Sequence, residues 1–433
     1  MDKGLIINTN FFFNGSSLNY DSSIIIEHGI ITDIVYGKFV SKPDYEVIEA
    51  EFVMPGLVSA HEHLVGVGSG KKGIYTYLYN DLVLFLMHGI LGLRDAGNTI
   101  QNIVMAKKIS EELQLPYIVF SSPLFDRVPT SYLSIYIDDT NYKNLIYCFN
   151  HFRDFGLNFI KAYVTLDTEL YKKIVDLGRS LGFKIGAHLW STPLEEIIDT
   201  PYHPDIIDHI ATIIQRKKLT GYNDLAKIWA DHFDQGWIEE MAKKIKSKAI
   251  GVTTTLVNAA VVWGIEIGLR EQLLDYVLFY NKFLNREETS KIVSEASGVN
   301  KSLGMKAWKN LVTATKILYQ EGISLLPASD SPNTGVPPGE GFIKELIILN
   351  RQVGIKSLDI LKYATSETTK FIGLDKYGLG IIKENTKPNI IILDGNPLND
   401  IENLYKVKLI ITDKFVLEPK RLELYPLGYS PSF

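Results

Sequence analysis

At 433 residues, with 46% hydrophobic and 22% charged side chains, the chain has the composition of a soluble globular protein with a sizeable core. Its 45 basic and 50 acidic residues leave a net charge of −5, so there is no basic excess to suggest a nucleic-acid partner. Cys148 is the only cysteine, which excludes an intramolecular disulfide framework and a cysteine zinc cage; a metal would need His, carboxylates or a rarer ligand.

Taken in chain order, MDKGLIINTNFFFNGSS lacks a long apolar run and a small-residue cleavage site. YLYNDLVLFLMHGILGL is interrupted by Asn80, Asp81 and His88. The expectation is neither export nor membrane insertion, hence a cytoplasmic location. Residues 1–53 read as short strands with turns at Asn14-Gly15 and Gly29, ending in EVIEAEFVMPG. The stretch VMPGLVSAHEHLVG then ends an apolar strand in two histidines. Residues i and i+2 of a strand share a face, so His61 and His63 present both imidazoles to one point while Glu62 faces away. That is a metal-ligand geometry, and a weak signal by itself.

The middle of the chain alternates strand-like and helix-like segments: GILGLRDAG, NTIQNIVMAKKISEELQ, PYIVFSS, NLIYCFNHFRDFG, LNFIKAYVT, TELYKKIVDLGRSLG, FKIGAHLWS, IIDHIAT, IGVTTTLVN, KAWKNLVTATKILYQEG and ISLLPASDSP. This rhythm predicts a parallel sheet, and about eight repeats predict a closed α/β (β/α)8 barrel. An open doubly wound sheet is the alternative, weakened by the lack of a GxGxxG or Walker A pattern between a strand and a helix. Residues 211–245, with Trp229, His232 and Trp237, read as an insertion after the sixth strand. KPNIIILDGNP and LIITDKFVLEP return to short strands. The expected organisation is a small β-sandwich domain built from both chain ends, residues 1–53 and 386–433, around a barrel at 54–385.

Barrel enzymes carry their chemistry at the C-terminal ends of the strands. The first strand ends in His61 and His63, NFIKAYV carries Lys161, KIGAHLW ends in His188, IIDHIAT carries His209 and SLLPASDSP ends in Asp330. Each has an ordinary reading alone, since a histidine can bond the backbone, a lysine can snorkel and an aspartate can cap a helix. Together they reach one rim. His28, His88, His151, His203 and His232 lack that context and are assigned no catalytic role.

On these residues the chain resembles the amidohydrolase superfamily of metal-dependent hydrolases, and within it the imidazolonepropionase-like and Xaa-Pro dipeptidase-like group. VMPGLVSAHEHL and GLRDAG are similar to the family's first- and second-strand motifs. The histidines of GAHLWS and IDHIA and the aspartate of ASDSP match its fifth, sixth and eighth strands. ILKYATSETTKFIGLDKYGLGIIKENTKPNIIILDGNPL resembles the return into the β-domain. The chain departs at Ser59, where the family usually has Asp, and at Pro388-Asn389 in place of Ala-Asp. SSPLFDRVPTSYLS also lacks the Gly-His-rich substrate loop.

The resemblance implies two divalent ions: His61, His63 and Asp330 on the first, His188 and His209 on the second, and Lys161 bridging them as a carbamate. Zinc is the expected metal, with manganese, iron, cobalt or nickel as alternatives. It further implies hydrolysis of a C–N bond in an amide, cyclic amide or dipeptide, with Asp330 as proton shuttle. Tyr163, two residues beyond Lys161, is a candidate substrate contact, and Arg94 and Asp95 are candidate supports. Three alternatives stand beside this one: a mononuclear deaminase, a lactone or ester hydrolase, and a catalytically silent barrel. Against the deaminase, no Glu follows His188 in an HxxE pattern. The expected partner is a small-molecule substrate, in a monomer or a homo-oligomer.

Overall fold

The computed structural model describes residues 4–64, 74–128, 134–214, 222–267, 299–332 and 336–425. Among the described residues, nine strands make up the β/α part: β5 (Leu57–Glu62), β6 (Ile90–Asp95), β7 (Tyr117–Asp126), β8 (Ser134–Tyr136), β9 (Phe159–Ala162), β10 (Lys184–Ala187), β11 (Ile206–Ile207), β12 (Gly251–Thr253) and β13 (Leu325–Leu326). Neighbours run β5-β6-β7-β9-β10-β11-β12-β13, with β8 paired to β7 off this path. Every pair is parallel. The ring closes through backbone bonds between its first and last segments: Ala60 N–H to Pro327 O at 3.0 Å, Asp330 N–H to His61 O at 3.0 Å and His63 N–H to Ser331 O at 2.8 Å. This is the predicted eight-strand parallel barrel. Strands such as LVSAHE and ILGLRD are buried along their whole length, as parallel strands covered on both faces must be.

The two chain ends meet in a second sheet. Its N-terminal strands are β1 (Leu5–Phe13), β2 (Leu18–Glu27), β3 (Ile30–Val35) and β4 (Glu46–Pro55), and its C-terminal ones β14 (Ile390–Leu393), β15 (Val407–Ile411) and β16 (Val416–Leu417). The order is β16-β15-β14-β4-β1-β2-β3. β1 and β4 are parallel; the other pairs are antiparallel. The period of two divides its residues between two cores. Val53, Ile390, Ile392 and Ile411 join a core of the sheet's own. Phe52, Met54, Ile391, Leu393 and Ile410 belong to the large core shared with the barrel. The β2–β3 turn has His28 and Gly29 at φ 51° and 74°, a hairpin geometry that glycine accommodates without strain.

What reads as one strand in VMPGLVSAHEH is two, joined at Gly56. β4 lies in the mixed sheet and β5 opens the barrel. A side chain at Gly56 would put its Cβ 2.3 Å from Leu91 Cδ1, so the joint depends on glycine. Residues 211–245 also resolve differently from a plain insertion. Two helices, Tyr222–Asp231 and Gln235–Ser247, link β11 to β12, and the buried Trp229 donates its indole N–H to Ala211 O at 2.8 Å. Residues 215–221 of that segment, and 129–133 of SSPLFDRVPTSYLS, lie outside the described residues. None of the described helices is long and apolar enough to cross a membrane.

Candidate metal centre

β5 carries His61 and is followed directly by His63, and β9 delivers Lys161. His188 follows β10 directly. The strands meant to carry His209 and Asp330 are shorter than the sequence suggests: β11 stops at Ile207 and β13 at Leu326. Both residues lie beyond them in the left-handed region, at φ 69° and 59°, as does Thr255 at 45°. Such a residue cannot extend a strand. It turns the chain there, at a local cost of ~1–3 kcal/mol that surrounding contacts must offset. The His209 N–H donates to Thr253 Oγ1 at 2.8 Å, and the Asp330 N–H to His61 O.

These turns bring His209 and Asp330 to the mouth where His61, His63 and His188 stand. His61 Nε2 and His63 Nε2 are 3.3 Å apart, and each lies 3.5 Å from Asp330 Oδ1. The His209 ring centroid is 4.5 Å from that of His61 and 4.4 Å from that of His188. Tyr163 stands edge-on to His188 at 5.3 Å, and Trp190 does so at 5.2 Å. Ligand atoms of His61, His209 and Asp330 lie within 4.8 Å of one another.

The outer nitrogens fix the tautomers. His61 Nδ1 is 2.8 Å from Asp208 Oδ1 and His63 Nδ1 is 2.9 Å from Gly97 O. Both partners accept, so each Nδ1 carries the proton and each Nε2 turns a lone pair toward the mouth. Burial pushes the imidazoles toward the neutral form: His63 down to about 4, His209 down to about 3, His61 and His188 well below their ordinary value. Two lone pairs and a carboxylate oxygen thus face one another at 3.3–3.5 Å. Such a set is repulsive by itself and suits a divalent cation.

Beneath the histidines Asp208, which the sequence reading missed, joins Arg94 and Lys161 in a fully buried charge cluster. Asp208 accepts from Arg94 Nη2 at 2.9 Å on each oxygen and from Lys161 Nζ at 2.5 Å. Burial opposes ionisation of Asp208, but Arg94, Lys161 and His61 outweigh it and hold the carboxyl well below its usual range. Burial also lowers the Lys161 pKa. Gly186 on β10 leaves room for the cluster, since a Cβ there would sit 2.9 Å from Arg94 Nη2. Asp208 follows an apolar strand directly, and Arg94 lies within one. Two opposite charges in such segments were the available signal for a buried pair. Asn258, equally missed, donates Nδ2–H to Asp330 Oδ2 at 3.0 Å. The expected support Asp95 is buried and accepts from Asn98 Nδ2 at 2.9 Å.

A narrow cleft of about 30 Å³ opens beside the mouth. Its floor includes His188, His209, Asn258 and Asp330, and its walls Trp190, Leu225, Val262 and Trp263.

Fold and mouth together define an α/β barrel with a histidine-rich rim and a β-domain formed from both chain ends. No protein-family model matches the sequence, and no curated protein does. Solved structures do match the fold. The chain is similar to A. niger ochratoxinase, at 14% identity and a TM-score of 0.69 over 96% of each chain. It is similar to a Xaa-Pro dipeptidase with bound methionine in its active site, at 15% identity and a TM-score of 0.67 over 96% of this chain and 100% of that one. It is similar also to molinate hydrolase, at 14% identity and a TM-score of 0.67 over 100% and 98%.

Proposed function

We propose that the chain is a metal-dependent hydrolase of the amidohydrolase superfamily that cleaves a C–N bond in a small-molecule amide. One observation carries this reading: two imidazole lone pairs and the Asp330 carboxylate converge at 3.3–3.5 Å, an arrangement that a cation would relieve. In this proposal His61, His63 and Asp330 would hold one divalent ion, and His188 and His209 would hold a second. Lys161, carbamylated by CO2 with loss of a proton, would supply a further anionic oxygen ligand; as a free amine it donates to Asp208. Zinc suits the N/O donor set. When bound, the ions supply an activated water and polarise the scissile carbonyl.

The chain's own residues do the rest. Asp330 takes the proton from the nucleophile at one carboxylate oxygen and returns it to the leaving nitrogen, acting as base and then acid. Asn258 fixes the other oxygen through its 3.0 Å bond. Asp208 holds His61 by Nδ1, so its Nε2 keeps one direction. The apolar side chains of Trp190, Leu225, Val262 and Trp263 that line the cleft favour an uncharged, apolar group next to the scissile bond, and Tyr163 at the edge of His188 would meet it.

The test is a panel of anilides, cyclic amides, N-acyl amino acids, prolyl dipeptides, lactones and deaminase substrates, scored by kcat/KM with several metals. An amide with an apolar acyl group should rank first. Preference by orders of magnitude for lactones, or ammonia release from a nucleobase-type substrate, would contradict the proposal.

A further inference from the structure

Glu62 stands between two proposed metal ligands and has no part in the chemistry above. It is fully buried on the face of β5 opposite the histidines. Its Oε1 accepts from Ser59 Oγ at 2.5 Å, from Ser329 N–H at 3.1 Å and from Ser329 Oγ at 2.8 Å. Its Oε2 accepts from Ser329 Oγ at 2.7 Å, Ser331 N–H at 2.8 Å and Ser331 Oγ at 2.8 Å. Ser329 and Ser331 are the two neighbours of Asp330 in the chain. One carboxylate therefore grips the backbone on both sides of Asp330.

That grip answers a structural need. β13 ends at Leu326, so no regular strand pairing reaches Asp330. Asp330 also sits at φ 59°, a conformation that costs a non-glycine residue energy and persists only where its surroundings over-determine it. Backbone bonds from Asp330 N–H to His61 O and from His63 N–H to Ser331 O tie the turn to β5 from one side. Glu62 ties it to the same strand through side-chain acceptors. Ser59, in turn, holds Glu62.

We propose that Glu62 is the positioning residue for Asp330, setting where its carboxylate stands relative to His61 and His63. This rests on the proton-handling role assigned to Asp330 above. Both oxygens of Glu62 receive a backbone N–H that cannot rotate away. In Glu62→Gln the amide NH2 must therefore oppose Ser329 N–H or Ser331 N–H, whichever way it flips. The turn should shift, and a misplacement of order 1 Å can cost about 10²-fold in rate.

The experiment compares Glu62→Gln, Asp330→Asn and the double variant, each loaded with Co2+ as well as the native metal. Glu62→Gln should retain its metal equivalents through the histidines. It should lose about 10²-fold in kcat with KM within about twofold, and its Co2+ absorption bands should change, because Asp330 is also a proposed ligand. Adding Glu62→Gln to Asp330→Asn should cost less than about threefold more, since residues acting through one another are not additive. Should Glu62→Gln fail to fold, Ser59→Ala removes only the supporting hydroxyl and is read the same way, as a kcat loss of about threefold or more with unchanged KM. Wild-type kcat and Co2+ bands in Glu62→Gln beside an inactive Asp330→Asn would overturn this inference alone, as would losses that multiply in the double variant. Normal turnover by Asp330→Asn would overturn the proposed function itself.

Discussion

Asp208 is where the charges of the mouth balance. Arg94 and Lys161, both buried, share its carboxylate, and His61 donates to the same group. Removing one partner of a buried ionic cluster leaves the others unpaired, which typically costs ~3–5 kcal/mol. Asp208→Ala should therefore lose stability on that scale in chemical denaturation of the metal-free protein. A loss under ~1 kcal/mol would mean that water reaches the cluster and the ion pairs carry little. The histidines themselves were legible because alternation along a strand is a local rule, which assigned His61 and His63 to one side and Glu62 to the other. What each side faces was not legible. Glu62 meets Ser329 and Ser331 only because the first and last strands close the ring, 267 and 269 positions apart. Asn258 sits in IGVTTTLVN without any charge or periodic signal, and only the turn at Thr255 brings it to Asp330.

Among the elements, the short helix Leu256–Val262 holds a key position, since it carries Asn258. Its first turn is held from outside by Glu345 on the helix Glu340–Ile348, whose Oε2 accepts Val257 N–H at 2.6 Å. Burial pushes the Glu345 carboxyl up to about 7. The folded protein therefore binds a proton that the unfolded chain gives up above ~4.5, and the stability associated with Glu345 falls as pH rises from there to about 7. Glu345→Gln, neutral at every pH, should be more favourable relative to wild type at pH 8 than at pH 4, by up to ~3 kcal/mol. Thermal unfolding at both pH values decides this; an equal effect at both would mean that Glu345 ionises freely in the fold. The elements were legible where apolar periodicity was long, as in KAWKNLVTATKILYQEG, which lies in the helix Lys301–Glu321 up to its capping Gly322. They were misjudged at β11 and β13. There a few apolar residues run straight into the turn that holds His209 or Asp330, and composition does not mark where the strand stops.

At the scale of the whole molecule, two cores meet along one sheet. β4 crosses between them and becomes β5 at Gly56, so the residues that anchor the β-domain continue directly into His61 and His63. A metal bound at the barrel mouth would join the first strand to the last, adding to the three backbone bonds that close the ring. A ligand that binds only the folded state stabilises it, by an amount that grows with the logarithm of its free concentration above Kd. The measurement that tests the central claim most directly is amide hydrolysis by protein of known metal content, purified without chelator, then stripped and reloaded. The account predicts two equivalents of divalent metal per chain, loss of turnover together with a lowered unfolding temperature on stripping, and recovery of both on reloading. A chain free of metal by elemental analysis that hydrolyses its amide at the full rate would contradict it.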